Sequence, residues 1–459
     1  MPPLENIGYS HKLKTSSGAS GAWVIRFIAL LIVCQILLLF EELRPFRFVI
    51  RTAGFGLSLF LFTIFFMRPL RLKAHPAQKM AVLVMMILML QFLHPQGGSL
   101  VASIFHILLY LAVLAPLFWV PKLKIDIKIF RQLVFILWGF HTLSSVFGIL
   151  QVYFPDRFQA QLSTVIESQG EGYVNSLRYE LSSGQEIFRP MGLTDTPGGA
   201  AISGFYAMMF GLALLLTHKH NVLKLFCMIS MVLGVACMVF SQVRSVLVLA
   251  GVFLLTFAFI FLKEKKFKNL AKVLVGGTII VVVGVTWALT VGGESVRERL
   301  LTLVQDKPTG IYYQERGHFL EATIKELAPH YPLGAGLARW GMLSYYFNTP
   351  DALWAEIQIT GWLYDGGIPL IVVYSSMLMM ALWMAMKMAK MRRLSPVGTE
   401  LNLWASMLVA YDIGSIAITF NYPLFIGQGG VEFWLFNAVL YVVFRSHRLR
   451  RYLVKTETA

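Results

Sequence analysis

The sequence predicts an all-α polytopic membrane protein, a single integral membrane domain over residues 1–459 with about twelve transmembrane helices. Three observations lead there. The 459 residues are 57% hydrophobic and 14% charged, with a mean hydropathy of +0.66, whereas soluble domains carry about 25% charged residues. Apolar runs long enough for a bilayer core, which takes roughly 20 helical residues, recur along the whole chain. The loops between them alternate in charge, and cytoplasmic loops are the Lys/Arg-rich ones.

Taken in order, the spans are expected near 22–40, 47–67, 79–94, 99–120, 129–153, 198–217, 222–241, 244–262, 273–291, 362–386, 401–420 and 431–445. Lys12 and Lys14 precede the first, whose polar start has no convincing small-residue cleavage site and reads as an uncleaved anchor. Arg68, Arg71, Lys73 and Lys79 follow the second, and Lys122, Lys124, Lys128 and Arg131 follow the fourth. Lys219 and Lys224 separate the sixth from the seventh, Lys263 to Lys272 the eighth from the ninth, and Lys387 to Arg393 the tenth from the eleventh. Arg445 to Lys455 close the chain. Removing any one span would invert this alternation downstream. Both termini are therefore expected in the cytoplasm, and the two long loops, 154–197 and 292–361, outside.

The formal net charge of +16 sits mostly at cytoplasmic helix ends, where it sets topology and meets anionic membrane lipid. Nucleic-acid binding is not expected. Cys34, Cys227 and Cys237 fall inside predicted helices, which gives neither a disulfide framework nor a metal cluster. No cofactor motif is present.

Outside, arginine replaces lysine. The outward connections hold Arg44, Arg47, Arg51, Arg157, Arg178, Arg189, Arg244, Arg297, Arg299, Arg316 and Arg339 but only Lys307 and Lys325. Topology needs only positive charge, whereas the planar guanidinium adds bidentate phosphate recognition. Arg44, Arg47 and Arg51 are expected to be surface charges or lipid-headgroup contacts. Arg244, in Ser241-Gln242-Val243-Arg244-Ser245, is squeezed between two apolar spans, where an ionisable side chain is a functional candidate. Arg189 opens a segment reaching Gly199 in which Thr196-Pro197 reads as N-cap and first helical residue. In the second long loop, Val296, Leu300, Leu303 and Val304 form one apolar helix face; Phe319, Leu320, Ile324 and Leu327 form another. The latter helix starts at Gln314-Glu315-Arg316-Gly317-His318 and ends before the turn-forming His330-Tyr331-Pro332-Leu333-Gly334-Ala335-Gly336.

These pieces together resemble the O-antigen ligase and Wzy-type polymerase superfamily of bacterial membrane glycosyltransferases. The likeness covers the architecture and, more specifically, about residues 186–375. Ser241 to Ser245 is similar to that family's Arg-bearing motif between adjacent helices. Arg316 to Ala322 is similar to its loop helix with a leading Arg, and Pro332 to Gly336 to its Pro-x-Gly-x-Gly turn. Trp354-Ala355-Glu356-Ile357-Gln358 through Gly366-Gly367 resembles the stretch that begins with the family's catalytic His and ends in Glu-x-Gly. The resemblance implies a metal-independent, inverting transferase of the bacterial cytoplasmic (inner) membrane, with no cofactor. Its partners would be a polyprenyl-pyrophosphate-linked glycan donor, a glycan or lipid-glycan acceptor, and membrane lipids. Arg244 and Arg316 would hold the donor diphosphate, with Arg189 and Arg339 as further diphosphate-binding candidates.

The chain departs from the family where Trp354, or Ala355 under a shift of one residue, occupies the His position. Glu356 is the nearest replacement base, against a reading as a helix-start carboxylate paired with an arginine such as Arg339. His330 and His318 are the backups. Asp412, inside a span, reads as a structural pair or as part of an acceptor or ion path; His106 and His141 read as buried hydrogen-bonding residues. Glu41 and Glu42 lack the second acidic cluster a metal would need. The alternative function, a secondary transporter of a small solute or anion, would call for internal repeats, and none is visible.

The orientation has a direct check. A single cysteine at Ser183 or Thr309 should react with an impermeant maleimide added outside intact cells; labelling from the cytoplasmic side alone would overturn the assignment.

Overall fold

In the computed structural model, which describes residues 21–68, 73–95, 99–167, 170–305, 310, 312–347, 355–390 and 395–457, each of the twelve predicted segments coincides with a helix. They are α1 (Ala22–Leu37), α2 (Arg47–Phe66), α3 (Ala77–Gln91), α4 (Leu100–Leu114), α5 (Ile127–Tyr153), α6 (Ala200–Thr217), α7 (Asn221–Phe240), α8 (Arg244–Lys263), α9 (Gly277–Gln305), α10 (Gln358–Ala389), α11 (Pro396–Ile418) and α12 (Gln428–Glu457). Among the described residues, eight helical stretches are long and apolar enough to cross a membrane, or nine if Leu100–Leu114 and the bent Pro116–Lys122 form one span. Helices α1 and α3 are shorter apolar helices, of 16 and 15 residues. Apolar side chains such as Met86, Leu90, Phe226, Leu255 and Phe259 stand exposed along the outer helix faces, as lipid-facing residues of a multi-pass membrane protein do. The three cysteines are buried and free.

Small residues set the tightest packing. A Cβ at Gly204 of α6 or at Gly234 of α7 would come within 2.5 Å of the other glycine's carbonyl oxygen, so these helices touch backbone to backbone, the usual device where lipid offers no hydrophobic drive for association. Several polar side chains inside the bundle contact one another. Asn437 donates to Asp412 at 3.0 Å, a buried α11–α12 pair. His141 lies 3.4 Å from the Ser203 hydroxyl and stacks on Tyr206.

Two long helices are broken near their loop ends, and each break has a matching turn. In α10, Gly366 and Gly367 leave helical geometry, Gly367 at φ 68° and ψ −161°, a region open essentially to glycine alone. The break exposes backbone groups that a helix would pair internally, and an apolar environment makes unpaired ones costly. The turn at 332–335 supplies them. Ile368 N–H donates to the Pro332 carbonyl at 2.9 Å, and Ala335 N–H donates to the Tyr364 carbonyl at 2.8 Å. Gln91 of α3 fixes the same turn by donating to the Leu333 carbonyl at 2.5 Å. In α9, Gly293 (φ 64°, ψ −152°) makes the second break. There the Ser182 N–H and hydroxyl donate to the Val291 carbonyl at 3.2 and 2.8 Å.

Ser182 belongs to a hairpin of β1 (Arg178–Glu180) and β2 (Glu186–Phe188), antiparallel with Tyr179 opposite Ile187. Nothing in the sequence pattern predicted it. Val296 is fully buried and Leu300 packs beside it against Tyr179, Leu181 and Ile187, so the first half of the first amphipathic face covers the first long loop; the side chains of Leu303 and Val304 lie outside the described residues. The second predicted face is only partly correct. Residues 313–330 are helical, but two π-turns, Tyr313–Gly317 and Thr323–Leu327, widen the helix. A π-turn rotates the following residues off the 3.6-residue stripe; Leu327 packs beside Trp340 and Tyr364 while Ile324 is 60% exposed. The Thr196-Pro197 helix start is also corrected. Gly198, at φ +79°, turns the chain and Gly199 N–H bonds to the Thr196 carbonyl at 2.9 Å, so α6 begins at Ala200.

Gly367→Ala should lower the thermal midpoint of the detergent-solubilised protein by several degrees. A Cβ there meets the Pro332 carbonyl and the Leu333 backbone, on top of about 1–3 kcal/mol of backbone strain. Gly277→Ala, with open space around it, is the control; equal midpoints would refute the role given to the break.

Candidate functional site

The candidate site is assembled where both long loops meet the ends of α8, α10 and α11. The 313–330 helix is held to the start of α10 by a 2.6 Å hydrogen bond between the Thr323 and Thr360 hydroxyls, buried on both sides. Gln358, fully buried, anchors the start of α10 to the connection between α11 and α12. Its N–H donates to the Thr419 carbonyl at 2.9 Å, and its side-chain oxygen accepts from Phe425 N–H at 2.7 Å. The same connection receives the loop helix through Tyr312 OH to the Phe420 carbonyl and Arg316 Nε to the Asn421 carbonyl, each 3.3 Å.

With those anchors set, Arg316 and Glu356 are brought into a direct ion pair, Nη1 to Oε2, with side chains 33% and 25% exposed. They come from positions forty residues apart on different elements. Arg316 is in the first π-turn, and such turns recur at functional sites. The cation beside Glu356 is thus Arg316 rather than Arg339. Arg339 donates instead to the Ala335 carbonyl at 3.3 Å, beside Tyr364. Trp354 and Asp351 lie outside the described residues, as do Lys307 and Thr309.

The first long loop adds further groups. Arg189 Nη2 donates to the Ser176 carbonyl at 3.1 Å, the end of a short helix, Glu171–Ser176, that carries Tyr173. Burial and the Glu356 carboxylate push the Tyr173 phenol above its ordinary pKa, while Arg189 and Arg316 pull the other way. Tyr173, Arg189, Arg316 and Glu356 therefore share one electrostatic neighbourhood. Tyr173 was not recognisable as a site residue, because loop aromatics carry no spacing signal.

Arg244 is the first residue of α8, after a tight turn in which Gln242 takes φ 53°. That turn sits against the 189–199 segment, since a Cβ at Gly198 would lie 2.8 Å from Val243. Helix α8 packs along α11, with Leu249 against Gly414. One turn or so beyond that contact, in opposite chain directions, lie Arg244 and the 419–425 connection. Arg244 thus lies at the same end of the bundle as Arg316.

Arg44 is the surface charge expected, in an exposed pair with Glu167, whereas Arg47 and Arg51 are not surface or headgroup charges. Arg44 pairs with Glu167 at 2.6 Å; Arg51 pairs with Asp195 at 2.6 Å, and Arg47 lies 3.7 Å from the same carboxylate. Arg47 and Asp195 are 5% and 2% exposed, and a buried carboxylate needs cationic partners. These arginines tie α2 to the first long loop. His330 caps its own helix through the Glu326 carbonyl, and His318 contacts the Tyr313 carbonyl. Glu41 and Glu42 lie exposed in the turn before α2.

Below the site, Asp365 is fully buried between Tyr110 OH, which donates at 2.7 Å, and His106 Nε2 at 2.8 Å. Asp365 stands immediately before the Gly366–Gly367 break. The cluster joins α4 to α10 at the point where helical hydrogen bonding fails.

No family model matches the chain, and no curated protein matches it.

Asp195→Ala should loosen the first long loop. Losing the carboxylate from a buried pair costs about 3–5 kcal/mol, here leaving Arg47 without it. Limited trypsin digestion should then cleave at Arg157 or Arg178 faster than in the parent protein. An unchanged cleavage rate would contradict the tether.

Proposed function

We propose that this protein transfers or polymerises a lipid-linked glycan at the outer face of the bacterial cytoplasmic membrane and releases polyprenyl pyrophosphate. The observation that carries this reading is the Arg316–Glu356 pair, set among Arg189 and Tyr173 at the end of the bundle where Arg244 begins α8. A glycosyl transfer of this type needs fixed positive charge for the leaving diphosphate and a group to accept the acceptor proton. Both kinds of group are present at one place.

In the proposed reaction, the donor diphosphate binds Arg316, with Arg244 and Arg189 completing the cradle. Guanidinium donors stabilise the charge that builds on the diphosphate as its bond to the anomeric carbon breaks. The acceptor hydroxyl attacks from the opposite side, giving inversion, and Glu356 takes its proton. The diphosphate and the Glu356 carboxylate are alternative partners for Arg316. Donor binding therefore draws Arg316 toward phosphate and leaves the carboxylate to the acceptor. The outward position of the site follows from loop charge, and the polyprenyl tail would lie along the bundle within the membrane. The resemblance to O-antigen ligases and Wzy-type polymerases points the same way.

Glu356→Gln should fold and bind donor yet lose transfer activity by about 10²–10⁴-fold, the range for a general base, because the amide keeps the shape without the basicity. The assay is turnover of a purified lipid-linked oligosaccharide by protein in nanodiscs. Near-normal turnover would reject Glu356 as base and move attention to His330.

A further inference from the structure

We infer that Tyr173 and Tyr422 form an aromatic wall that receives the first sugar ring of the donor, beside the diphosphate cradle. The inference rests on the reading of Arg316 and its neighbours as that cradle. Tyr173 is carried by the helix whose last carbonyl, that of Ser176, accepts from Arg189. Tyr422 directly follows Asn421, whose carbonyl accepts from Arg316. The two rings thus belong to separate connections, each fixed to one of the cationic side chains. Each is within electrostatic reach of the other, and Tyr173 is within reach of Glu356, Arg189 and Arg316. Both remain accessible, at 41% and 51% exposure.

Exposed tyrosines near a membrane surface ordinarily form a belt with the ring among lipid headgroups. These two instead sit on connections whose Ser176 and Asn421 carbonyls accept from Arg189 and Arg316. The chemistry that suits an exposed ring next to fixed cations and a carboxylate is a molecule with both a flat apolar face and charged or hydroxyl edges. A pyranose linked to diphosphate has that form. Its axial C–H groups present a weakly positive face to the electron-rich face of an aromatic ring, while its phosphates reach the guanidinium groups and its hydroxyls reach the carboxylate. The rings would orient the anomeric carbon and select for sugar over the bare lipid diphosphate.

The test compares two defined probes, undecaprenyl diphosphate and undecaprenyl-diphosphate N-acetylglucosamine, binding to the full chain in nanodiscs. The parent protein should bind the sugar-bearing lipid about five- to tenfold more tightly, the size of a good aromatic contact. Tyr173→Ala and Tyr422→Ala should reduce that preference, and the double variant should abolish it, with undecaprenyl diphosphate bound as before. Tyr173→Phe, which keeps the ring face, should retain it. Equal affinity of the parent for both probes, or a preference surviving in the double variant, would overturn the wall and leave the diphosphate cradle standing. Loss of the preference in Tyr173→Phe would overturn stacking in favour of a hydroxyl hydrogen bond. Failure of the parent to bind either lipid would remove the cradle and the wall with it.

Discussion

Hydrogen bonding at two broken helix ends is the constraint on which the rest of this molecule depends. A helix entering an apolar environment pairs its own backbone; one that breaks there must find partners elsewhere. Gly367 breaks α10 and the 332–335 turn pairs with it; Gly293 breaks α9 and Ser182 of the first long loop pairs with it. Each long loop is thus attached to the helical bundle through backbone bonds that the bundle itself requires. The consequence is positional accuracy. The 332–335 turn ends the helix that carries Arg316, and the broken segment of α10 begins two residues after Glu356. Fixing the break therefore fixes the distance between cation and carboxylate, and Thr323–Thr360 sets their rotation.

The electrostatics follow from that placement. Arg316 and Glu356 are about a quarter to a third exposed, so water still screens their attraction and the pair contributes little to stability. A weakly stabilising pair can be exchanged for another anion at low cost. By contrast, Arg47 and Asp195, both buried, join structural elements, and opening them would leave charge in a low dielectric. Arg47 and Arg51 thus secure the first long loop to α2, whereas Arg189 and Arg316 gather about the accessible carboxylate. Guanidinium geometry suits both tasks; burial distinguishes them.

Much of the fold was legible in the chain. Hydrophobic runs and alternating loop charge are local signals, and all twelve predicted segments coincide with helices, although eight, or nine with the bent pair, meet the length and hydropathy of a span among the described residues. Arg316 and Glu356 could each be singled out through the family resemblance, Arg316 as the arginine leading the loop helix and Glu356 as the carboxylate nearest the family's His position. Their pairing could not, because it depends on two docked turns. Periodicity also misled where π-turns shift the face at Ile324, and turn residues misled at Thr196, where Gly198 delays the helix. Asp365, His106 and Tyr110 were illegible as a cluster: each falls in an apolar run, and only the tertiary crossing of α4 and α10 brings them together. The pairing of Asp195 with Arg47 and Arg51 is likewise a contact over more than a hundred residues.

The central claim is that the Arg316 neighbourhood receives a lipid diphosphate. A cryo-electron microscopy structure of the full chain in nanodiscs with undecaprenyl diphosphate tests it most directly. The account predicts phosphate density within hydrogen-bond reach of Arg316 and Arg244, with the Glu356 carboxylate displaced from Arg316. Phosphate density at the lysine-rich end of the bundle, or bound lipid beside an intact Arg316–Glu356 pair, would contradict it.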